Sequence, residues 1–355
     1  MTSGGILPTP AVALLSDEHG AVISASHNPP QYNGVKFFTG RGRKLTDDEE
    51  EEIEALLDQT AAGNGTVTRA DELPERYVSV VCERFGGPLE GLRLVLDCAN
   101  GAMFEVAPAA LARLGASVVN IGNEPDGTNI NVRCGATDLG LLRETVARGD
   151  YDLGVAFDGD GDRMLAVDAA GNELDGDQIL AILALQLDVD LVAVTQMTNL
   201  GFHRLMRERN IRVVTTDVGD RYVLAALLGE GGVLGGEQSG HVVYLNGHTT
   251  GDGLVAAILL CRAVVEQGKS LAELAAVMPK LPQAKADVPV RSKAIPAALR
   301  RELDEVAEKL GASGRILVRP SGTEPVVRIL AEAETPAKAD NLCGTIRSLV
   351  LRELG

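Results

Sequence analysis

The chain has 355 residues, of which 45% are hydrophobic and 23% charged, a balance that excludes wholesale disorder. Its length predicts two or more domains. The formal net charge of −17 argues against a nucleic-acid partner and against an anionic membrane surface, although local arginine clusters can still receive phosphorylated substrates.

Aromatics are only 3% and Trp is absent, so the cores must be built from Val, Leu, Ile and Ala. The 40 glycines point to tight turns and backbone-lined loops. Cys82, Cys98, Cys134, Cys261 and Cys343 are dispersed without a CxxC, which fits a reduced, cytoplasmic chain. MTSGGILPTP carries no secretory pattern, and apolar runs such as 254–261 are too short to cross a bilayer.

In chain order, AVIS (21–24) predicts a short buried strand entering the loop SHNPPQYNG. TDDEEEEIEALLDQ (46–59) predicts a helix capped by Thr46, its acidic first turn matching the helix dipole and facing solvent. Then follow strand 92–98, helix 104–115, strand 116–122, helix 137–149 and strand 152–157. That βαβ rhythm predicts a mostly parallel sheet. It restarts with helix 177–187, strand 191–196, helix 202–210 and strand 212–218. The last block, strand–loop–strand over 315–333 and a helix over 336–352, reads as a small α+β domain. Candidate boundaries lie at 86–88, 171–175 and 278–289.

Asp158-Gly159-Asp160-Gly161-Asp162-Arg163 is the strongest motif. Carboxylates at i, i+2 and i+4 of an extended segment point the same way, and the glycines let their oxygens converge. Hard oxygens at the carboxyl end of an apolar strand suit Mg²⁺. An acidic turn without a cation would be repulsive. The EF-hand reading fails because Ala169 stands where its bidentate Glu should be.

Ser26, in Ser24-Ala25-Ser26-His27-Asn28-Pro29, is a candidate nucleophile. No GxSxG supports a hydrolase elbow. A phosphoryl group on Ser26 could complete a Mg²⁺ shell, and Lys36 could place a cation beside it. Arg319-Pro320-Ser321-Gly322-Thr323-Glu324-Pro325 offers a guanidinium fork, two hydroxyls and a backbone nest for an anion, against an ordinary hairpin as the bland alternative. Gly236-Glu237-Gln238-Ser239-Gly240-His241 can grip sugar hydroxyls, with His241 alternatively structural. His19, His203 and His248 read as structural or surface residues. Together the four loops describe phosphoryl transfer on a phosphosugar.

On these residues the chain resembles the α-D-phosphohexomutase superfamily over essentially its whole length. Within it, NINVRCGATDL, TNLGF, VGDRYV and the Gln238 of GEQSGH look most like the phosphoglucosamine mutase family. The resemblance implies three α/β domains, the first one incomplete, and a small C-terminal α+β domain around a central cleft. The corresponding boundaries are 1–87, 88–173, 174–281 and 282–355. It implies interconversion of glucosamine 6-phosphate and glucosamine 1-phosphate, for amino-sugar and peptidoglycan precursors. Ser26 would be the phosphoserine, and glucosamine 1,6-bisphosphate the intermediate and activator. Asp158, Asp160 and Asp162 would bind one Mg²⁺ with the Ser26 phosphate. Lys36 and Arg163 would stabilise charge or assist proton transfer, with Lys36 and His27 the candidate bases. Glu237, Ser239 and His241 would bind the sugar. Arg319, Ser321, Gly322 and Thr323 would hold the non-reacting phosphate. A homodimer is a candidate assembly, and a kinase or autophosphorylation a candidate source of the Ser26 phosphate.

Family members usually carry a longer opening before LPTPAV, here at 7–12, so the resemblance implies that the first domain lacks its opening strands and helices. Edges and apolar faces would then be exposed. The alternatives weighed are a phosphomannomutase or phosphoglucomutase, a truncated remnant that binds sugar phosphate without turnover, and a Mg²⁺-dependent phosphatase.

Overall fold

The hairpin formed by His19–Ser24 and Gly34–Thr39 is antiparallel, with Val22 opposite Lys36 and Ser24 opposite Gly34. Only Val22 of its first strand is buried, and Ile23 is 77% exposed. This corrects the expected buried strand. A two-stranded ribbon packs one face, here Val22 and Phe38 against Ala13 of the helix Thr9–Leu15, and leaves the other outside. The register puts Lys36 on the packed face beside Val22, where it can reach inward. These elements belong to a computed structural model that describes residues 1–59, 65–322 and 324–355. Thr46 caps the next helix, Asp47–Glu54, in a reciprocal capping box with Glu49, and that helix ends earlier than its sequence pattern predicts.

The chain divides into two units: 1–196 with 209–277, and 197–208 with 278–355. The first unit holds a five-stranded sheet in the order Ser117–Ile121, Arg93–Asp97, Leu153–Phe157, Met164–Asp168, Glu173–Leu174. The first three strands are parallel, joined through the helices Val106–Arg113 and Gly140–Arg148. The last two run antiparallel, so the sheet is more mixed than expected. The reason is the short segment Asp158–Arg163, which joins neighbouring strands as a hairpin and leaves no room for a crossover helix.

A second sheet in this unit has the order Arg212–Thr216, Leu191–Thr195, Leu234–Gly236, Val242–Tyr244, with only the last pair antiparallel. The helix Gly253–Gln267 is apolar on nearly every face and correspondingly buried, its N-terminus capped by Asp252.

In the second unit, Gln283–Pro289, Val326–Ala333 and Gly314–Pro320 form an antiparallel sheet with Val326–Ala333 in the middle. One sheet face, including Val288, Val327 and Ile329, packs with Leu299 of the helix Ala297–Leu310 and Ile346 of the helix Pro336–Leu354. The helix Leu200–Glu208 is part of this unit, anchored by Asn199, whose side chain donates to Leu281 O at 2.9 Å and accepts from Leu281 N at 3.0 Å. Among the described residues no helix is long and apolar enough to cross a membrane.

Candidate active site

Ser26 follows directly on the hairpin strand and adopts φ +52°, the left-handed region that a residue with a Cβ normally avoids. Local bonds hold it there: Ser26 N donates to Ser24 Oγ at 2.9 Å, and Asn28 N closes a turn onto Ala25 O at 2.9 Å. The conformation aims Ser26 Oγ at Asp158, to whose Oδ2 it donates at 3.4 Å. His27 Nδ1 lies 3.5 Å from the same hydroxyl. Burial, and then the Arg163 charge, lower the His27 pKa below its ordinary value.

Asp158, Asp160 and Asp162 are 0%, 1% and 5% exposed, and their ligand atoms lie within 4.8 Å of one another. They converge through the turn, with Gly161 at φ +75°, and not through strand alternation as expected from spacing. Gly159 is required by close approach: a Cβ there would stand 2.5 Å from both Ser26 O and Ile130 Cδ1. Asp158 Oδ1 accepts the Arg163 N–H at 3.1 Å. Asp160 Oδ2 accepts from Lys36 Nζ and from Thr9 Oγ1, both at 2.6 Å, and Lys36 Nζ also donates to Asp162 Oδ2 at 3.0 Å.

The charges divide unequally. Burial, then Asp162 and Asp160, push the Asp158 carboxyl well above its ordinary pKa. Burial acts on Asp162 in the same direction, but His241, Lys36 and Lys44 outweigh it and hold its carboxyl well below the ordinary value. Burial opposes the charge on Lys36, yet Asp162 and Asp160 keep the ammonium above its usual pKa. Asp160 Oδ1 and Asp162 Oδ1 are buried without a hydrogen-bond partner among the described residues. Buried anionic oxygens left open in a group of three carboxylates are the donor set a hard divalent cation takes, so the residues fit Mg²⁺.

A cavity of about 700 Å³ opens over these groups and is lined by Ser26, His27, Lys36, Asp162, Arg163, Glu237 and His241. Glu237 Oε1 accepts from Gly219 N at 3.1 Å. His241 is 2% exposed, with Nδ1 3.7 Å from Asp162 Oδ1 and Nε2 3.6 Å from Asp220 Oδ2. It therefore faces two carboxylates. Asp220 also pairs with Lys44, and both residues line the cavity. Ser239 is exposed and does not line it, while Gln238 Nε2 donates to buried Asp177 at 3.1 Å.

In the second unit, Ser321 is buried at the hairpin between Gly314–Pro320 and Val326–Ala333, its N–H donating to Val326 O at 2.9 Å. Its hydroxyl accepts from Glu324 N at 3.3 Å. Lys293 Nζ donates to Ser321 O at 2.9 Å and Gly322 O at 3.3 Å. Arg319 borders a cavity of about 430 Å³ in the same unit. Thr323 lies outside the described residues.

Sequence reasoning did not single out Thr9, Lys44, Asn131 or Asp220. Their segments, LPTPAV, GRK, NINVRC and VGDRYV, carry no spacing that announces chemistry, because each residue acts across a long chain separation.

Family models of the "Phosphoglucomutase/phosphomannomutase" alpha/beta/alpha domains I, II and III match residues 1–63, 75–171 and 175–281, and that of the C-terminal domain matches 260–349. The phosphoglucosamine mutase of Streptomyces griseus is 48% identical over 374 residues, covering 99% of this chain and 83% of the relative. That of Pelotomaculum thermopropionicum is 46% identical over 367 residues, covering 98% and 82%. Among solved structures, a Burkholderia thailandensis phosphoglucomutase/phosphomannomutase family protein superposes with a TM-score of 0.82 at 24% identity, covering 98% of this chain and 82% of that one. Aspergillus fumigatus N-acetylphosphoglucosamine mutase, solved with GlcNAc-6P and magnesium, gives 0.73 at 17%, covering 97% and 90%. These two structures establish the fold. Near-half identity sustained across all four domain matches establishes more, and the chain belongs to the phosphoglucosamine mutase family.

Proposed function

We propose that the chain is a phosphoglucosamine mutase interconverting glucosamine 6-phosphate and glucosamine 1-phosphate in the cytoplasm. The observation that carries the chemistry is a strained, cavity-lining Ser26 hydroxyl 3.4 Å from a carboxylate of a buried three-aspartate group. In the phosphorylated enzyme, the free hydroxyl of the monophosphate forms a bond to phosphorus as the Ser26 Oγ–P bond breaks. The hydroxyl proton passes to His27 Nδ1 and returns to Ser26 Oγ. The resulting glucosamine 1,6-bisphosphate presents its other phosphate, Ser26 Oγ bonds to that phosphorus as the sugar O–P bond breaks, the Ser26 proton passes through His27 Nδ1 to the freed sugar oxygen, and the second monophosphate leaves. Bisphosphate also supplies the first phosphoryl group to an unmodified Ser26.

Lys36 and Arg163 place positive charge beside the transferring group. Asp158, Asp160 and Asp162, with the Ser26 phosphate, would hold Mg²⁺, which when bound offsets the negative charge of phosphoryl transfer. Glu237, on the cavity wall, holds sugar hydroxyls, and His241 steadies Asp162. Arg319, Ser321, Gly322 and Thr323 hold the phosphate that is not reacting, gripping it in either orientation of the bisphosphate.

The test follows glucosamine 6-phosphate by phosphorus NMR after adding Mg²⁺, a trace of glucosamine 1,6-bisphosphate and glucosamine 1-phosphate. Mannose and glucose 1-phosphates run in parallel, with Ser26→Ala as control. Turnover fastest on the aminosugar and absent in Ser26→Ala is expected. Faster turnover of mannose or glucose 1-phosphate, or phosphate release outrunning isomerisation, would overturn the reading.

A further inference from the structure

The conformation of Ser26 has a second support, from a distant part of the chain. Asn131 Nδ2 donates to Ser26 O at 2.7 Å and to Asn28 O at 2.9 Å, across separations of 105 and 103 residues. Both acceptors are carbonyls, so the amide nitrogen must face them, and the orientation of the Asn131 side chain is chemically unambiguous. The two bonds bracket His27 and fix the carbonyls on either side of it.

Asn131 is itself held. It sits at φ +58°, a region Asn tolerates better than most residues, and its N–H donates to Ala99 O at 2.9 Å. Ala99, at φ +55°, is pinned by Asp97, whose Oδ1 accepts from Ala99 N at 3.0 Å and whose Oδ2 accepts from Gly135 N at 2.8 Å. The neighbouring Ile130 packs against Gly159, between Asp158 and Asp160, and Gly159 also faces Ser26 O. The serine loop, the aspartate loop and the 129–135 segment thus meet at one point, and the Asn131 side chain bonds from the last of these to the serine loop.

We propose that Asn131 is a positioning residue for phosphoryl transfer: its amide clamps the Ser26–Asn28 backbone to the body carrying Asp158, Asp160 and Asp162, and so fixes the line of attack at Ser26 Oγ. The proposal rests on the mutase reading given above. Asn131 does not line the cavity, so its loss disturbs alignment and leaves sugar binding in place. Misalignment of a reacting group by about 1 Å costs on the order of a hundredfold in rate.

Two variants separate the side chain from the backbone. Asn131→Gly keeps the left-handed conformation at no steric cost and removes the amide. Asn131→Asp keeps size and shape and turns a donor toward two carbonyls into an acceptor. Both are expected to lower kcat for glucosamine 1-phosphate at least tenfold, with KM within about twofold and the melting temperature within a few degrees of the parent chain. Hydrogen exchange supplies a readout independent of turnover. In Asn131→Gly, amides of residues 26–28 should exchange at least tenfold faster, while those of Leu153–Phe157 keep their parent rates.

A kcat within twofold of the parent in both variants overturns the proposal, as does a loss of activity that tracks the loss of folded protein. If the parent chain itself shows no mutase activity, the functional reading fails. Exchange then decides the clamp alone: unchanged rates over residues 26–28 refute it and selective acceleration sustains it.

Discussion

Replacing Thr9 with Val removes one hydroxyl from the candidate metal site and changes little else. Thr9 is fully buried, and its Oγ1 donates to Asp160 Oδ2 at 2.6 Å, while its backbone N–H donates separately to Asp160 O at 2.9 Å. Val is nearly isosteric and keeps the backbone bond, so the loop stays in place and only the carboxylate loses a fixed partner. A hydrogen bond to a charged group contributes about 1.5–3 kcal/mol. Lys36 still donates to the same oxygen, so a stability loss toward the lower end, about 2 kcal/mol, is expected in urea unfolding without metal. The functional consequence concerns Asp160 Oδ1, which has no hydrogen-bond partner among the described residues and is the atom available to a cation. Thr9 fixes the carboxylate plane through the opposite oxygen, and loss of such a supporting bond weakens metal affinity roughly 10–100-fold. Calorimetric titration with Mg²⁺ reads that change directly, and Thr9→Ser, which keeps the hydroxyl, should restore most of it. Thr9→Val binding Mg²⁺ within threefold of the parent would show that Lys36 alone orients Asp160 and that the reasoning is wrong.

Lys36→Met leaves the three carboxylates without the ammonium that bridges Asp160 and Asp162, so isomerisation should become undetectable by phosphorus NMR. Breaking a buried pair costs about 3–5 kcal/mol, but the Lys36 side chain is 33% exposed, so screening reduces the expected stability loss to about 1–3 kcal/mol. Saturating Mg²⁺ should raise the melting temperature of Lys36→Met by more than that of the parent chain, and equal increments would contradict the charge argument. At Asp97, burial raises the carboxyl pKa to about 6, only partly offset by the N–H groups of Gly135 and Ala99. A folded pKa above the unfolded one contributes stability that is fully present below about pH 4 and is lost as pH rises through about 6, here about 3 kcal/mol for a shift of about two units. Asp97→Asn should therefore gain on the parent chain by that amount between pH 4 and pH 7.5 in paired unfolding curves, and a parallel or opposite trend would refute the assignment.

What could be read from the chain depended on how far apart the interacting residues lie. Asp158, Asp160 and Asp162 fall within five consecutive positions, so their convergence was legible even though a turn, and not strand alternation, produces it. Thr46 and Glu49 likewise announce a helix start within four residues. Thr9 meets Asp160 across 151 positions and Lys44 meets Asp220 across 176, and nothing local in either partner marks the contact. The apolar run at 21–24 promised burial because hydrophobicity alone cannot tell a strand inside a sheet from one in a two-stranded ribbon, and Ile23 stands on the open face of such a ribbon. The parallel rhythm predicted from alternating strands and helices holds up to Phe157 and fails at Met164, where the loop that carries the carboxylates is too short for a crossover. The chemistry and the break in topology have the same cause.

That coincidence explains why the site departs from ordinary local rules and how it survives doing so. A non-glycine residue at φ +52° and three buried carboxylates in one turn are each unfavourable alone. Each is stabilised from outside its own segment: Ser26 by Asn131, Asp160 by Thr9 and Lys36, and Asp162 by Lys36 with His241 close by. These supports come from the N-terminal helix, the serine hairpin, the 129–135 segment and the loop before Val242. No single element can therefore relax without loosening the alignment of hydroxyl and carboxylates. Phosphoryl transfer depends on such alignment more than on any intrinsically reactive group. The Ser26 hydroxyl and the three carboxylates keep one arrangement here because four separate segments hold them.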